Sequence, residues 1–244
     1  SSILPIADLA MEYRMYLPTA PIIILTVLAV WKLVEINCPA NQRVNVLLIL
    51  FLIATIALGS RTLARNRDYL DPMRIWRQCA DFNPHNGRAQ FNIAGRLGDR
   101  GELEEALPYY QAALSSDMPT KEVVYDNLGM DYVRAGQLVA GVDQFRKALA
   151  LSENDAPSRT HLADALRRLG EYQESRTQYE RVLQQQPMNI EAQRGYVWLL
   201  ATCPTDAIRD SAIALKWAKK LLQGTADPSA EILDSAAAAH AAAE

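Results

Sequence analysis

Three glycines recur at almost equal spacing and constrain what the second half of the chain can fold into. Gly101, Gly136 and Gly170 are 35 and 34 residues apart. Each of them separates two stretches whose apolar residues follow the spacing of an amphipathic helix. A period of this length is typical of stacked helix-turn-helix units, in which neighbouring units bury one continuous core. The sequence therefore predicts an all-α solenoid.

The residue types around these glycines also repeat in register. If each glycine is the fifteenth residue of its unit, a large ring recurs at position 24 and a small or β-branched side chain at position 27. Small residues stand where two helices touch and large ones fill the gap, which is the packing of the tetratricopeptide repeat. The recurring residues are Tyr110, Phe145 and Tyr179 at position 24, Ala113, Ala148 and Val182 at position 27, Ile93, Leu128 and Leu162 at position 7, Leu97, Tyr132 and Leu166 at position 11, and Leu103, Leu138 and Tyr172 at position 17.

Three complete repeats fill residues 87–189, with partial repeats on both sides. Residues 61–86 are interpreted as a junction and a half-repeat, with Trp76 at position 24. Residues 190–244 carry a degenerate fourth repeat and a truncated fifth, which stops where its interhelix glycine is due. We expect the chain to be a portion of a longer protein, cut at both ends.

Two apolar runs in the first part of the chain have a different character. Residues 15–31 and 44–60 contain no Asp, Glu, Lys or Arg, and cations bound each run. A bilayer-spanning helix needs roughly 17 to 25 residues, and the stretch "VNVLLILFLIATIAL" is apolar on every face rather than on one. The sequence predicts a hairpin of two transmembrane helices within residues 21–60, joined by the loop "NCPANQ". The alternative is a pair of helices buried in a soluble core.

Charge and cysteine content disfavour several kinds of site. A net charge of −3 without a basic stripe argues against a nucleic-acid partner. The cysteines Cys38, Cys79 and Cys203 lie far apart and lack the spacing of a zinc site. We therefore predict no metal and no cofactor in this chain, and partners that are proteins or peptides and the lipid bilayer.

The octet "MEYRMYLP" at residues 11–18 and the stretch "RTLARNRDYLDPMRIWRQCADFNPHNGRAQFNIAG" at residues 61–95 resemble a known family. They are similar to the "SERRMYLP" or "EHRMYLP" motif and to the membrane-to-repeat junction of the transmembrane and tetratricopeptide repeat-containing proteins, including their bacterial relatives. Tyr13 stands where that family usually has Arg or His, and Tyr69 where a Trp is common. The matching residues are Glu12, Arg14, Met15, Tyr16, Leu17, Pro18, Arg65, Asn66, Trp76 and Asn92.

The resemblance implies that the full-length protein is a polytopic membrane glycosyltransferase of the GT-C type, related to protein O-mannosyltransferases. The catalytic acidic residue of such enzymes lies in the first extracytoplasmic loop, upstream of the octet. No catalytic residue is therefore assigned in this chain. The resemblance implies a polyprenyl-phosphate sugar donor for the full-length protein only.

The octet lies in a predicted extracytoplasmic loop, residues 1–20, where it could meet such a donor at the membrane surface. Arg14 is a permanent cation suited to a lipid-borne phosphate, with Glu12 and Tyr16 as neighbouring candidates. Tyr13 and Tyr16 suit stacking on a sugar as well as a position at headgroup depth. The alternative is that these residues are interfacial anchors and that Glu12 pairs with Arg14.

Two criteria disagree about the side of the membrane on which the repeats lie. More arginines flank the hairpin on the repeat side than in the loop that holds Arg43, and the positive-inside rule would place the repeats in the cytoplasm. The family resemblance implies the opposite, and we follow it because the missing upstream helices would set the orientation. We expect an integral protein of the bacterial inner membrane with extracytoplasmic repeats.

Position 6 of each repeat lies on the inner face of such a solenoid. Here it carries Asn92, Asn127 and His161. Asparagine amides can donate to and accept from the backbone of an extended peptide, which gives binding that tolerates many sequences. The alternative is that these side chains cap helices or face solvent.

Two functions from different classes remain. In the first, the repeats present an acceptor protein to a membrane glycosyltransferase that uses a lipid-linked sugar. In the second, the chain belongs to a membrane-anchored scaffold without chemistry, whose repeats recruit other proteins.

Overall fold

The computed structural model describes residues 23–69, 71–225 and 227–243, and the regular secondary structure of these residues is helical throughout. The chain divides into two units, Ser1–Leu70 and Asp71–Glu244. The prediction of an all-α fold is confirmed for the described residues.

The described part of the first unit, residues 23–69, contains two helices joined by a short connection. Helix α1 covers residues 23–37, and α2 covers Arg43–Tyr69. Arg43 donates hydrogen bonds from Nη2 to the carbonyl oxygen of Glu35 (2.7 Å) and from Nε to that of Cys38 (3.0 Å). The last carbonyls of a helix have no partner within the helix, so these bonds satisfy the end of α1 and fix the turn.

Helix α2 has the length and composition needed to cross a membrane. Its segment Arg43–Leu63 is 21 residues long, and none of it is buried. Apolar side chains are exposed on several faces, since Leu48, Phe51 and Ile56 are 61%, 71% and 62% exposed. Exposed apolar surface of this extent is unfavourable in water. The membrane hairpin of residues 21–60 nevertheless stays a prediction.

The described residues of the second unit form ten helices. Helix α3 lies in the predicted half-repeat, and the next eight helices form four consecutive pairs. The last helix, α12, lies where the sequence predicts the start of a fifth repeat. The bounds are α3 Pro72–Phe82, α4 Gly87–Asp99, α5 Leu103–Ser115, α6 Lys121–Arg134, α7 Leu138–Leu151, α8 Ala156–Leu169, α9 Tyr172–Gln185, α10 Ile190–Thr202, α11 Ser211–Gln223 and α12 Ala230–Ala241.

The three periodic glycines stand at the turns between paired helices. Gly101, Gly136 and Gly170 have φ angles of +77°, +79° and +87°. This left-handed conformation is unfavourable for a residue that has a Cβ atom, whereas glycine adopts it at almost no energetic cost. The tight turn therefore explains why glycine recurs at this position of each complete repeat.

An Asn or Asp side chain starts the first helix of three repeats. Asn86, Asp155 and Asn189 each accept a hydrogen bond from the backbone N–H three residues later, at 3.0 to 3.1 Å. Such a cap satisfies one of the free N–H groups at a helix start. Each cap stands at the residue before position 1 of its repeat, so Asn86 and Asp155 are two periods apart and Asp155 and Asn189 one period apart.

The rings at position 24 are buried, as the sequence predicts. Tyr110, Phe145 and Tyr179 are at most 1% exposed. The small residues at position 27 are fully buried as well. By contrast, Tyr132 at position 11 and Leu138 and Tyr172 at position 17 are only partly buried.

Neighbouring repeats contact each other in two ways. The second helix of one repeat packs on the first helix of the next, as α5 does on α6, α7 on α8 and α9 on α10, and successive first helices also contact each other. Helix α4 contacts α6, α6 contacts α8, and α8 contacts α10. These four helices, which we call the first-helix layer, form one face of the solenoid, and the second helices pack behind them. Residues at equal positions of successive first helices are therefore neighbours.

Candidate functional site

The predicted position-6 residues lie on three successive helices of the first-helix layer. Asn92 is on α4, Asn127 on α6 and His161 on α8, and each is partly buried. Asn92 Nδ2 donates to the carbonyl oxygen of Arg88 (2.7 Å), and Asn127 Nδ2 donates to that of Val123 (2.9 Å). Each of these bonds uses one N–H of the amide and leaves its other N–H and its oxygen for a ligand. That the three side chains line one groove stays a prediction.

His161 differs from the two asparagines because it has a partner on the neighbouring repeat. Its Nδ1 donates to Asp126 Oδ1 at 2.9 Å, which joins α8 to α6. Its ring also lies against Phe145, with 5.7 Å between ring centroids. Burial alone would lower the pKa of His161, but the hydrogen bond and the charge of Asp126 more than offset it, so the pKa is raised. His161 therefore holds two repeats together.

We expect this pair to make the stability of the solenoid depend on pH. Because the folded pKa of His161 lies above its ordinary value of 6.5, the stabilisation is complete below about pH 6.5 and is lost as pH rises through the folded pKa. Urea unfolding of the full chain should show a loss on the order of 1 kcal/mol. Asp126→Asn should remove this part of the pH dependence. An unchanged dependence in that variant would contradict the assignment.

A pocket of about 330 Å³ opens on the first-helix layer next to His161. It lies between α6, α7, α8 and α10 and combines an apolar floor with a charged rim. The floor is formed by Met130, Val133, Phe145 and Ala165. The rim carries the remaining lining residues, Arg134, His161, Asp164, Arg167, Arg168 and Arg194. We call this cavity the basic pocket.

The four arginines of the basic pocket differ in how firmly they are held. Arg134 Nη1 donates to the carbonyl oxygen of Gly98 (2.7 Å) and pairs with Asp131 at 2.9 Å. Asp131 is buried and also accepts a hydrogen bond from the Tyr110 hydroxyl at 2.7 Å. Arg134 therefore belongs to a network that joins the first two repeats.

The other three arginines are less constrained. Arg167 pairs with Asp164 at 3.5 Å, and its buried Nε has no hydrogen-bond partner. Arg194 pairs with the largely exposed Glu231 at 3.3 Å. Arg168 is exposed and makes no ion pair or hydrogen bond within the described part of the chain. These guanidinium groups can bind an anion without breaking the fold.

The sequence contained a partial signal for this site. Arg134 and Arg168 both stand two residues before an interhelix glycine, at position 13 of their repeats. Arg194 is at position 5 of the fourth repeat. Whether it comes near Arg134 and Arg168 therefore depends on how the repeats stack. The pattern at position 6 therefore does not predict these arginines.

The remaining predicted site lies outside the described residues. Glu12, Arg14 and Tyr16, together with Tyr13, belong to the octet, and the description begins at residue 23. Their role at a donor phosphate stays a prediction.

A comparison with protein families supports the repeat assignment. A tetratricopeptide-repeat family matches residues 158–184, which lie in α8 and α9. Residues 158–184 therefore match a tetratricopeptide repeat, and the solenoid that contains them has the fold of solved repeat structures. Solved structures of this fold include pilF of Pseudomonas aeruginosa, with 19% identity, a TM-score of 0.55 and coverage of 78% of this chain and 95% of that one. A structure of YrrB, described as a tetratricopeptide-repeat protein with an unusual peptide-binding site, has 18% identity, a TM-score of 0.53 and coverage of 72% and 87%.

A curated relative supports part of the family resemblance. The Protein O-mannosyl-transferase Tmtc2 of Drosophila melanogaster is 34% identical over 104 residues, which is 42% of this chain and 10% of that protein. The tetratricopeptide-repeat chain thus matches about a tenth of the relative's length. This is a distant and partial similarity.

Proposed function

We propose that the first-helix layer binds an extended segment of another protein. The observation that carries the proposal is the basic pocket, which opens on this layer and is lined in part by the position-6 residue His161. An apolar cavity with a few polar groups at its rim is the usual form of a binding site. Asn92 and Asn127 add amide groups whose remaining donor and acceptor suit a peptide backbone.

The proposal places this binding surface beside a membrane. Helix α2 has the length and apolar composition of a span, and its apolar side chains are exposed. We propose that residues 21–60 form the membrane hairpin and that the chain is an integral protein of the bacterial inner membrane. The repeats and the octet then lie on the same, extracytoplasmic side of that membrane.

The similarity to Tmtc2 supports a more specific version of the proposal. In it, the longer protein transfers a sugar from a polyprenyl-phosphate donor to a protein, and the first-helix layer holds the acceptor. Arg14 would meet the donor phosphate, since a guanidinium makes bidentate, charge-assisted hydrogen bonds to phosphate oxygens. Glu12 and Tyr16 would orient Arg14 and the sugar.

The binding surface can be tested with the two asparagines. We expect Asn92→Ala combined with Asn127→Ala to weaken binding of fluorescein-labelled extended peptides to the full chain in detergent about tenfold, measured by fluorescence anisotropy. Each lost amide removes hydrogen bonds that contribute about 0.5 to 1.5 kcal/mol, and ~1.4 kcal/mol corresponds to a factor of ten.

A matched control lies on the second helices. Gln111 on α5 and Gln173 on α9 are exposed amides away from the first-helix layer. Gln111→Ala combined with Gln173→Ala should leave peptide binding unchanged. If the asparagine variant binds like the wild type while its circular dichroism is unaltered, the first-helix layer is not the binding surface.

A further inference from the structure

We infer that the basic pocket selects acidic polypeptide, in which an apolar side chain enters the pocket and flanking carboxylates meet its arginines. This inference rests on the proposed function, since it names the class of partner that the first-helix layer would take. It does not depend on membrane insertion or on any sugar transfer.

The charge of the pocket lining favours an anionic partner. Four arginines line the pocket, and Asp164 is the one carboxylate among the lining residues. Arg134 is already committed to the buried Asp131 and to Gly98. The remaining positive charge lies on Arg167, Arg168 and Arg194, and it is offset in part by Asp164 beside Arg167 and by Glu231 beside Arg194.

Two of these arginines can exchange their present surroundings for a ligand at little cost. Arg168 is exposed and makes no ion pair or hydrogen bond within the described residues. Arg194 pairs at 3.3 Å with Glu231, whose side chain is 73% exposed. An exposed ion pair contributes about 0 to 1 kcal/mol, so a ligand carboxylate can replace Glu231 readily.

Arg167 adds a cation that is already partly desolvated. Its side chain is 27% exposed and its ion pair with Asp164 is long, at 3.5 Å. Asp164 is engaged elsewhere, because its Oδ1 accepts a hydrogen bond from the Tyr179 hydroxyl at 2.6 Å. A carboxylate beside Arg167 would therefore gain an interaction that Asp164 supplies only weakly.

The floor of the pocket indicates that the anion is carried by a polypeptide with an apolar residue. Met130, Val133 and Phe145 present hydrocarbon and ring surface to the cavity. A volume of about 330 Å³ is near the lower limit for ligand sites, which suits a side chain better than a cofactor. A bare phosphate would meet the rim but leave this floor in contact with water.

The test compares three fluorescein-labelled peptides that differ only in charge. Each has a central phenylalanine with two residues on either side, which are glutamates, glutamines or lysines. We expect the glutamate peptide to bind the full chain in detergent at least about tenfold more tightly than the glutamine peptide, and the lysine peptide to bind least. This preference should shrink as sodium chloride is raised, because partly exposed charges are screened.

Two pairs of variants assign the preference to the pocket. Arg168→Gln combined with Arg194→Gln should remove most of the preference for the glutamate peptide over the glutamine peptide, because Arg167 is then the one less constrained arginine left in the pocket lining. Arg100→Gln combined with Arg181→Gln removes the same charge from exposed positions outside the pocket, and this variant should keep the preference. Thermal unfolding by circular dichroism checks that both variants are folded.

Other outcomes separate the inference from the proposed function. If the glutamine peptide binds as tightly as the glutamate peptide and the asparagine double variant weakens both, the first-helix layer binds peptide but not by charge, and the inference is overturned. If inorganic phosphate displaces the glutamate peptide better than sodium chloride of equal ionic strength, the pocket is a phosphate site. If none of the three peptides binds, the result contradicts both this inference and the proposed function.

Discussion

Replacement of Gly195 by alanine is expected to lower the free energy of unfolding by about 1 to 3 kcal/mol. A Cβ atom at this position would lie 2.4 Å from the hydroxyl oxygen of Tyr179 and 2.6 Å from its ring. Tyr179 is fully buried, and its hydroxyl is bound to Asp164 at 2.6 Å, so the ring cannot move aside. Urea unfolding of the full chain, followed by circular dichroism, measures the loss.

Gly95 is the matched control for this substitution. It also lies inside a first helix, α4, but nothing lies within 4 Å of a Cβ atom built there. Gly95→Ala should raise the free energy of unfolding by about 0.4 to 1 kcal/mol, because alanine restricts the unfolded chain. Equal effects of the two substitutions would show that α10 does not pack on Tyr179 as described.

The second large effect concerns the membrane. We expect the full chain to sediment with membranes and to need detergent for extraction, because residues 43–63 expose apolar side chains on several faces. Ile49→Arg combined with Ile53→Arg should release much of the protein, since one arginine at the centre of a span costs about 2.5 to 3.5 kcal/mol. Ultracentrifugation before and after an alkaline wash measures the membrane-bound fraction.

The control places the same charge on an exposed apolar residue of the solenoid. Val139 on α7 is 65% exposed, so Val139→Arg should leave the membrane-bound fraction unchanged. If the wild-type chain stays in the supernatant without detergent, the transmembrane assignment of residues 21–60 is wrong.

The repeats were predictable from the sequence because their constraints are local. The left-handed turn requires Gly101, Gly136 and Gly170 at one position, and the buried rings recur nine residues later, at Tyr110, Phe145 and Tyr179. Both signals lie within one repeat. A helix pair can therefore be recognised without knowing how the pairs stack.

The candidate site was less predictable because it joins residues from different repeats. Arg134, Arg168 and Arg194 come from three repeats, and only the stacking of α6, α8 and α10 brings them to one pocket. The bond between His161 and Asp126 likewise crosses 35 positions of sequence. Spacing within a single helix carries no information about such contacts.

The fourth repeat shows why position 6 does not carry a polar side chain in every repeat. Gly195 stands 34 residues after His161 and so occupies the equivalent position on α10. The Tyr179 ring fills the space that a side chain at Gly195 would need. The packing of the Tyr179 ring therefore excludes a polar side chain at position 6 of the fourth repeat. Arg194, which precedes Gly195, lines the pocket instead.

Hydrogen–deuterium exchange of the full chain, with and without the glutamate peptide, tests most directly whether the first-helix layer binds protein segments. Backbone amides exchange more slowly where a ligand stabilises the local structure. We predict slower exchange in α6, α8 and α10 and no change in α5, α9 and α11. Protection confined to the second helices or to residues 23–69, or no protection at peptide concentrations that saturate binding, would contradict this assignment.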